Sequence, residues 1–112
     1  MLANLLRDIY GFEKARRGVQ YCGRTGAADV VGLPFLHIEV KHVQRLDLRG
    51  AMEQSESDAQ EDEIPVVMHK KDRKPWLVTL NLDDFMALYK AWLKAWEEEE
   101  YEIRRSASCI CE

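Results

Sequence analysis

Long hydrophobic runs are missing from this chain: its uninterrupted apolar stretches last only a few residues. A membrane-spanning helix needs about 20 such residues, so none is expected. No basic-then-apolar leader is recognisable in the opening residues. Cysteine is scarce and odd in number, with Cys22, Cys109 and Cys111 spaced badly for a disulfide framework. A reducing, cytoplasmic compartment is the expectation. Cys109-Ile-Cys111 resembles half a metal site without a second ligand pair, and it is expected to be polar tail rather than a zinc site. There is no internal repeat and no linker-like stretch. The 112 residues therefore suggest one domain over 1–96, followed by an acidic, poorly ordered extension over 97–112.

What the chain does have is ordinary globular composition, 46% hydrophobic and 32% charged, enough for a core without metal or disulfides. The net charge of −4 conceals an asymmetry. Residues 1–50 hold eight Lys/Arg against five Asp/Glu (+3), and residues 51–112 hold eight against fifteen (−7). The acidic runs Glu53–Glu63 and Glu97–Glu102 read as solvated helix faces. A negative total does not exclude a nucleic-acid partner, because phosphate contacts depend on local fields.

Hydrophobic periodicity predicts an α-β-β-β-α-β-β-α order, an α/β fold with a mixed central sheet flanked by helices. Leu2, Leu5, Leu6 and Ile9 form a helical stripe that ends at Gly11. Strands are expected over 15–21, 27–33 and 35–43, the last with Leu36, Ile38 and Val40 on one face and His37, Glu39 and Lys41 on the other. A mostly polar helix follows over 46–62, then strands over 66–69 and 76–80. Asn81 caps a last helix whose stripe is Phe85, Leu88, Tyr89, Trp92, Leu93 and Trp96, fading into the glutamates. The tryptophans are expected as core or interface anchors.

The chemistry concentrates between Asp29 and Lys41. A hairpin centred near Pro34 pairs residues whose numbers sum to about 68, which sets Asp29 opposite Glu39, side chains roughly 5 Å apart. Lys41, two residues on, points the same way. Facing carboxylates repel unless something offsets the charge. A divalent cation does so, and one or two hard carboxylate oxygens with several waters are what Mg²⁺ takes. Beside a lysine, such an ion activates water and stabilises charge on phosphate. The competing expectation is an ordinary ion-paired strand surface.

Asp29 followed by Glu39-Val40-Lys41 resembles the PD-(D/E)xK nuclease superfamily, with its restriction-endonuclease-like fold. The wording GAADVVGLPFLHIEVKHV is particularly similar to the Holliday-junction-resolvase-like nucleases of phages and prophages. The likeness runs from Ala15 to about Trp92, with Ala28 where the family usually has proline. It implies a Mg²⁺- or Mn²⁺-dependent, structure-selective DNA endonuclease, a homodimer acting on branched DNA inside a bacterial host cell. Asp29 and Glu39 would be metal ligands, the Val40 carbonyl would complete the inner shell, and Lys41 would activate the attacking water. Gln54 resembles a glutamine placed beside the active site in related nucleases. The first helix lacks the glutamate that many members contribute: Asp8 is late in it and Glu13 follows it. A clipped start or a reduced ligand set would account for that.

Two basic groups are candidate DNA contacts: Arg16, Arg17 and Arg24 near the acidic strand, and Lys70, Lys71, Arg73 and Lys74 before Pro75-Trp76. His37 shares the site face and could touch phosphate or be a plain strand residue. The rival expectations are a non-catalytic DNA-binding module that keeps the fold, and a partner-binding protein using its acidic helices.

Overall fold

The computed structural model describes residues 1–18 and 28–110, the last five of them (106–110) by backbone alone. The elements are α1 (Leu2–Asp8), β1 (Arg16–Arg17), β2 (Val30–Val31), β3 (Leu36–His42), α2 (Leu48–Asp58), β4 (Ile64–Lys70), β5 (Leu77–Leu80) and α3 (Leu82–Ile110). The expected order is present. The chain divides into two compact units, Met1–Asn81 and Leu82–Glu112.

In the first unit the five strands lie in sequence order in one mixed sheet. The β1–β2, β2–β3 and β4–β5 pairs are antiparallel, and β3–β4 is parallel, with α2 as the crossover. Strand alternation then decides which helix covers which face. Leu36, Ile38 and Val40 of β3 and Ile64, Val66 and Met68 of β4 share one face. Leu2, Ala3 and Leu6 of α1 close over them. Each such aliphatic side chain contributes about 1.5–3 kcal/mol on full burial. Val67 points to the other face, against Ala51 and Met52 of α2. The Asp47 carboxylate caps α2 by accepting from the Gly50 amide (3.0 Å). Ser55, fully buried, places its hydroxyl 3.2 Å from the His37 carbonyl and 3.1 Å from that of Val66, fastening α2 to both parallel strands.

Two glycines permit the close approach of β1 and β2. A Cβ on Gly18 would collide with the Ala28 carbonyl, and one on Gly32 with that of Lys14. Gly32 also has φ +99°, where glycine is favoured.

Several boundaries differ from the sequence expectation. α1 stops at Asp8, and Ile9 is 70% exposed rather than on the buried stripe. Ile9 keeps helical dihedrals and donates to the Leu5 carbonyl (2.9 Å), and the chain then turns through Gly11 at φ +81°. The part of the expected first strand beyond Gly18, and the loop to Ala27, lie outside the described residues. The second unit is the single helix α3, which runs through the glutamates instead of fading there. Among the described residues no helix is long and apolar enough to cross a membrane.

Candidate metal and nucleic-acid site

The β2–β3 register is the expected one: Val30 faces Ile38. Counting one residue outward puts Asp29 beside Glu39. The pairing there is not a plain ladder, however. The chain bends at Asp29, whose amide donates to the Ile38 carbonyl (2.9 Å), while its Oδ2 accepts from the Val40 amide (2.9 Å). The Asp29 side chain thus takes the place of a main-chain acceptor on the edge of β3. The Asp29 carbonyl accepts from the Gly18 amide (2.8 Å), which ties it to β1 as well.

The two acids meet. Glu39 is 6% exposed, and burial pushes its carboxyl above the ordinary 4.5. The charge of Asp29 and a hydrogen bond with the Asp29 carboxyl push in the same direction, and a hydrogen bond from His37 opposes them. Asp29 is half-buried. It lines a cavity of about 530 Å³ together with Met1, Arg17, Val40, His42 and Trp76.

Lys41 follows Glu39 on the same strand face, half-buried and opposite His69 of β4. Among the described residues its ammonium forms no salt bridge. Val40 points to the α1 side, and its amide is the group that Asp29 holds. Gln54, exposed on α2, donates through Nε2 to Asp58 Oδ2 (2.6 Å).

Three residues outside the expected set complete the surroundings. His37 is 1% exposed, its Nε2 3.2 Å from Glu39 Oε1 and its Nδ1 3.8 Å from Glu63 Oε1. His37, Glu39 and Asp58 offer ligand atoms that lie within 4.8 Å of one another. Gln54 is therefore one residue removed from Glu39, through Asp58. The period-2 pattern placed His37 on this face, but the convergence of Asp58 and Glu63 depends on how α2 and the following turn settle on the sheet. Only the i, i+4 spacing of Gln54 and Asp58 hinted at it.

α1 brings no acid to Asp29. The end of the helix that lines the cavity is Met1 to Ala3. Asp8 is about 9 Å along the axis at 1.5 Å per residue. It is exposed, and its Oδ1 accepts from Arg7 Nε (3.2 Å).

The basic groups divide. Arg17 borders the cavity, whereas Arg16 turns to the Lys14 carbonyl (3.2 Å). Arg24 is outside the described residues. Lys70 ends β4 opposite His42, and Lys71, Arg73 and Lys74 are exposed in the turn beyond it. Asp72 anchors that turn by accepting from His42 Nε2 (3.1 Å) and Gln44 Nε2 (2.6 Å). The cationic turn is thereby held to the end of β3, just past Lys41.

Compared with known proteins, the chain matches no family model, no curated protein and no solved structure.

Proposed function

We propose that this protein is a divalent-metal-dependent DNA endonuclease with a restriction-endonuclease-like core, acting on branched DNA such as junctions. The observation that carries the proposal is the Asp29 carboxylate, just before β2, set beside the Glu39 carboxylate of β3, with Lys41 on the same strand face as Glu39.

The donor set suits a hard cation. Two carboxylates stand beside one another in a site where burial and mutual repulsion raise the pKa of one. Such a pair is relieved by a dication, and oxygen donors with room for water favour Mg²⁺ or Mn²⁺. Asp29 and Glu39 would hold the ion, with the Val40 carbonyl as a third donor. Bound there, the ion would supply Lewis acidity toward a phosphodiester and toward a water. The protein's own groups do the rest. Asp29 is kept in place by the Val40 amide, and Glu39 is oriented by His37. Lys41 presents an ammonium to the attacking water or to developing charge on phosphate. Arg17 and the Lys70–Lys74 turn neutralise flanking phosphates. Gln54 steadies Asp58 at the margin of the site. Paired cuts across a junction would call for two copies of the chain related by symmetry.

Nicking of branched and linear DNA with Mg²⁺ or Mn²⁺ tests this directly. Lys41→Ala should lower the rate on the order of 10²–10⁴-fold, as removal of a proton-transfer group does. Equal activity of the two proteins would remove Lys41 from the mechanism.

A second reading, a DNA-binding module without catalysis, is favoured by one observation: no acid of α1 stands at the end that faces Asp29. Calorimetry separates the two. Absence of Mn²⁺ uptake, with salt-sensitive DNA binding intact, selects the second.

A further inference from the structure

Along α3, Leu82, Phe85, Tyr89, Trp92 and Trp96 alternate strictly at steps of three and four, and after Glu99 the pattern resumes at Ile103. These side chains are 42–72% exposed. Four of them follow one another on one side of the helix: Phe85 stacks on Tyr89 at 6.3 Å and Tyr89 on Trp92 at 6.0 Å, and Trp92 meets Trp96 edge-on at 6.3 Å between ring centroids. We propose that α3 pairs antiparallel with α3 of a second copy of this chain, Trp92 of each against Trp96 of the other.

A stripe that repeats every 3.5 residues is complementary to another helix with the same repeat, because knobs at those positions fit holes on a supercoiled neighbour. The chain's other described helices do not supply one. α1 has 7 residues and α2 has 11, and both spend their apolar sides on the sheet. The seam from Leu82 to Ile103 spans about 30 Å. The helix that matches it is α3 itself, in another molecule.

Area agrees. Large apolar side chains bury about 150–250 Å² each, so half-exposed ones along this stripe, with Met86 and Leu88 beside them, offer on the order of 700 Å² per copy. A stable interface buries about 800 Å² per partner. An apolar stripe of this size is of the order that marks an interaction surface.

Charge selects the direction. In a parallel, in-register pair Glu99 would face Glu99 inside the seam, and the Glu97–Glu102 run would lie along itself. In the antiparallel pair, centred at Lys94, facing residues sum to 188. Phe85 then meets Ile103, and Glu99 meets the Tyr89 hydroxyl. The Glu97–Glu102 run of each copy then lies level with residues 86–91 of the other, clear of its own counterpart. One two-fold axis generates both halves, as a closed dimer requires. None of this depends on the chemistry proposed for the carboxylates.

Sedimentation equilibrium of the full chain at micromolar concentration should give a dimer. Trp92→Glu combined with Trp96→Glu should raise the dissociation constant at least 100-fold. Direction is read in a background with Cys22, Cys109 and Cys111 replaced by serine. There, Phe85→Cys chains mixed with Ile103→Cys chains should form a mixed disulfide, while Phe85→Cys alone should not crosslink to itself. Self-crosslinking of Phe85→Cys would overturn the antiparallel arrangement. A strict monomer would overturn the pairing, whether its tryptophan emission is already blue-shifted by cover from the same chain or shifts only on anionic phosphatidylglycerol vesicles. DNA cleavage is read separately, so a cleaving monomer would refute the pairing alone, and an inactive dimer the endonuclease proposal alone.

Discussion

Glu39 carries a cost that a bound cation would relieve. Its carboxyl titrates above 4.5 in the folded chain, through burial first and Asp29 second. Between that ordinary value and the raised one, the native state holds a proton that the unfolded state has released. Stability therefore falls as pH rises through this window and is greater on its acid side. Urea unfolding without metal should show that slope, and Glu39→Gln should flatten it and raise the midpoint at neutral pH. Added Mn²⁺ should stabilise the unsubstituted protein at neutral pH, by about 2.7 kcal/mol at 100 times its dissociation constant. In Glu39→Gln that gain should shrink. A midpoint indifferent to both pH and Mn²⁺ would contradict the reading of the pair. Much at this scale was legible beforehand. The hairpin sum put Asp29 beside Glu39, and alternation put Lys41 and His37 on the same face. The bend at Asp29 was not legible, because it follows from a side chain competing with a main-chain carbonyl for the Val40 amide. Asp58 and Glu63 were also missed, being distant in sequence and joined only by packing.

Elements followed hydrophobic period closely where one face is buried. β3 alternates as its sequence does, since a one-residue slip would send Ile38 into the polar layer. α3 outran the expectation for the opposite reason. The apolar stripe marks the helix only as far as Trp96, but glutamate is itself a good helix former, and the acidic run prolongs it. Ile9 continues the helical spacing, but spacing alone does not reveal how far along α1 the cover of the sheet extends. The Ser55 bridge between α2 and the parallel strands was silent in sequence. Ser55→Ala should cost about 1–2 kcal/mol, the effect of losing a buried hydroxyl's bonds, measurable as a lower urea midpoint. Gly18→Ala should do more harm to the site than to the core. The added methyl has no room at the Ala28 carbonyl, so β1 and β2 must part and Asp29 must shift. Loss of Mn²⁺ uptake with a largely retained circular dichroism spectrum is the expected outcome.

For the whole molecule, electrostatics are regional. The total of −4 coexists with a cationic turn moored by Asp72 at the end of β3 and with Arg17 at the rim of the cavity. DNA affinity should therefore fall steeply with salt, and Lys71→Ala or Lys74→Ala should each reduce the slope of log affinity against log salt by about one. A slope unchanged by either would remove the turn from the interface. Sequence had singled out this turn as a basic cluster, and the mooring by Asp72 shows why a cluster containing an acid can still act as one surface.

The bond from the Val40 amide to Asp29 has an evolutionary corollary. Under the proposed activity, a descendant that lost catalysis would be free to change Lys41, yet position 29 would still owe the sheet an acceptor. Asparagine could discharge that obligation without a charge, whereas alanine would leave an amide unanswered at the margin of the fold. Drift at this site should thus be lopsided in such a lineage, with the lysine abandoned early and an oxygen-bearing side chain surviving at 29.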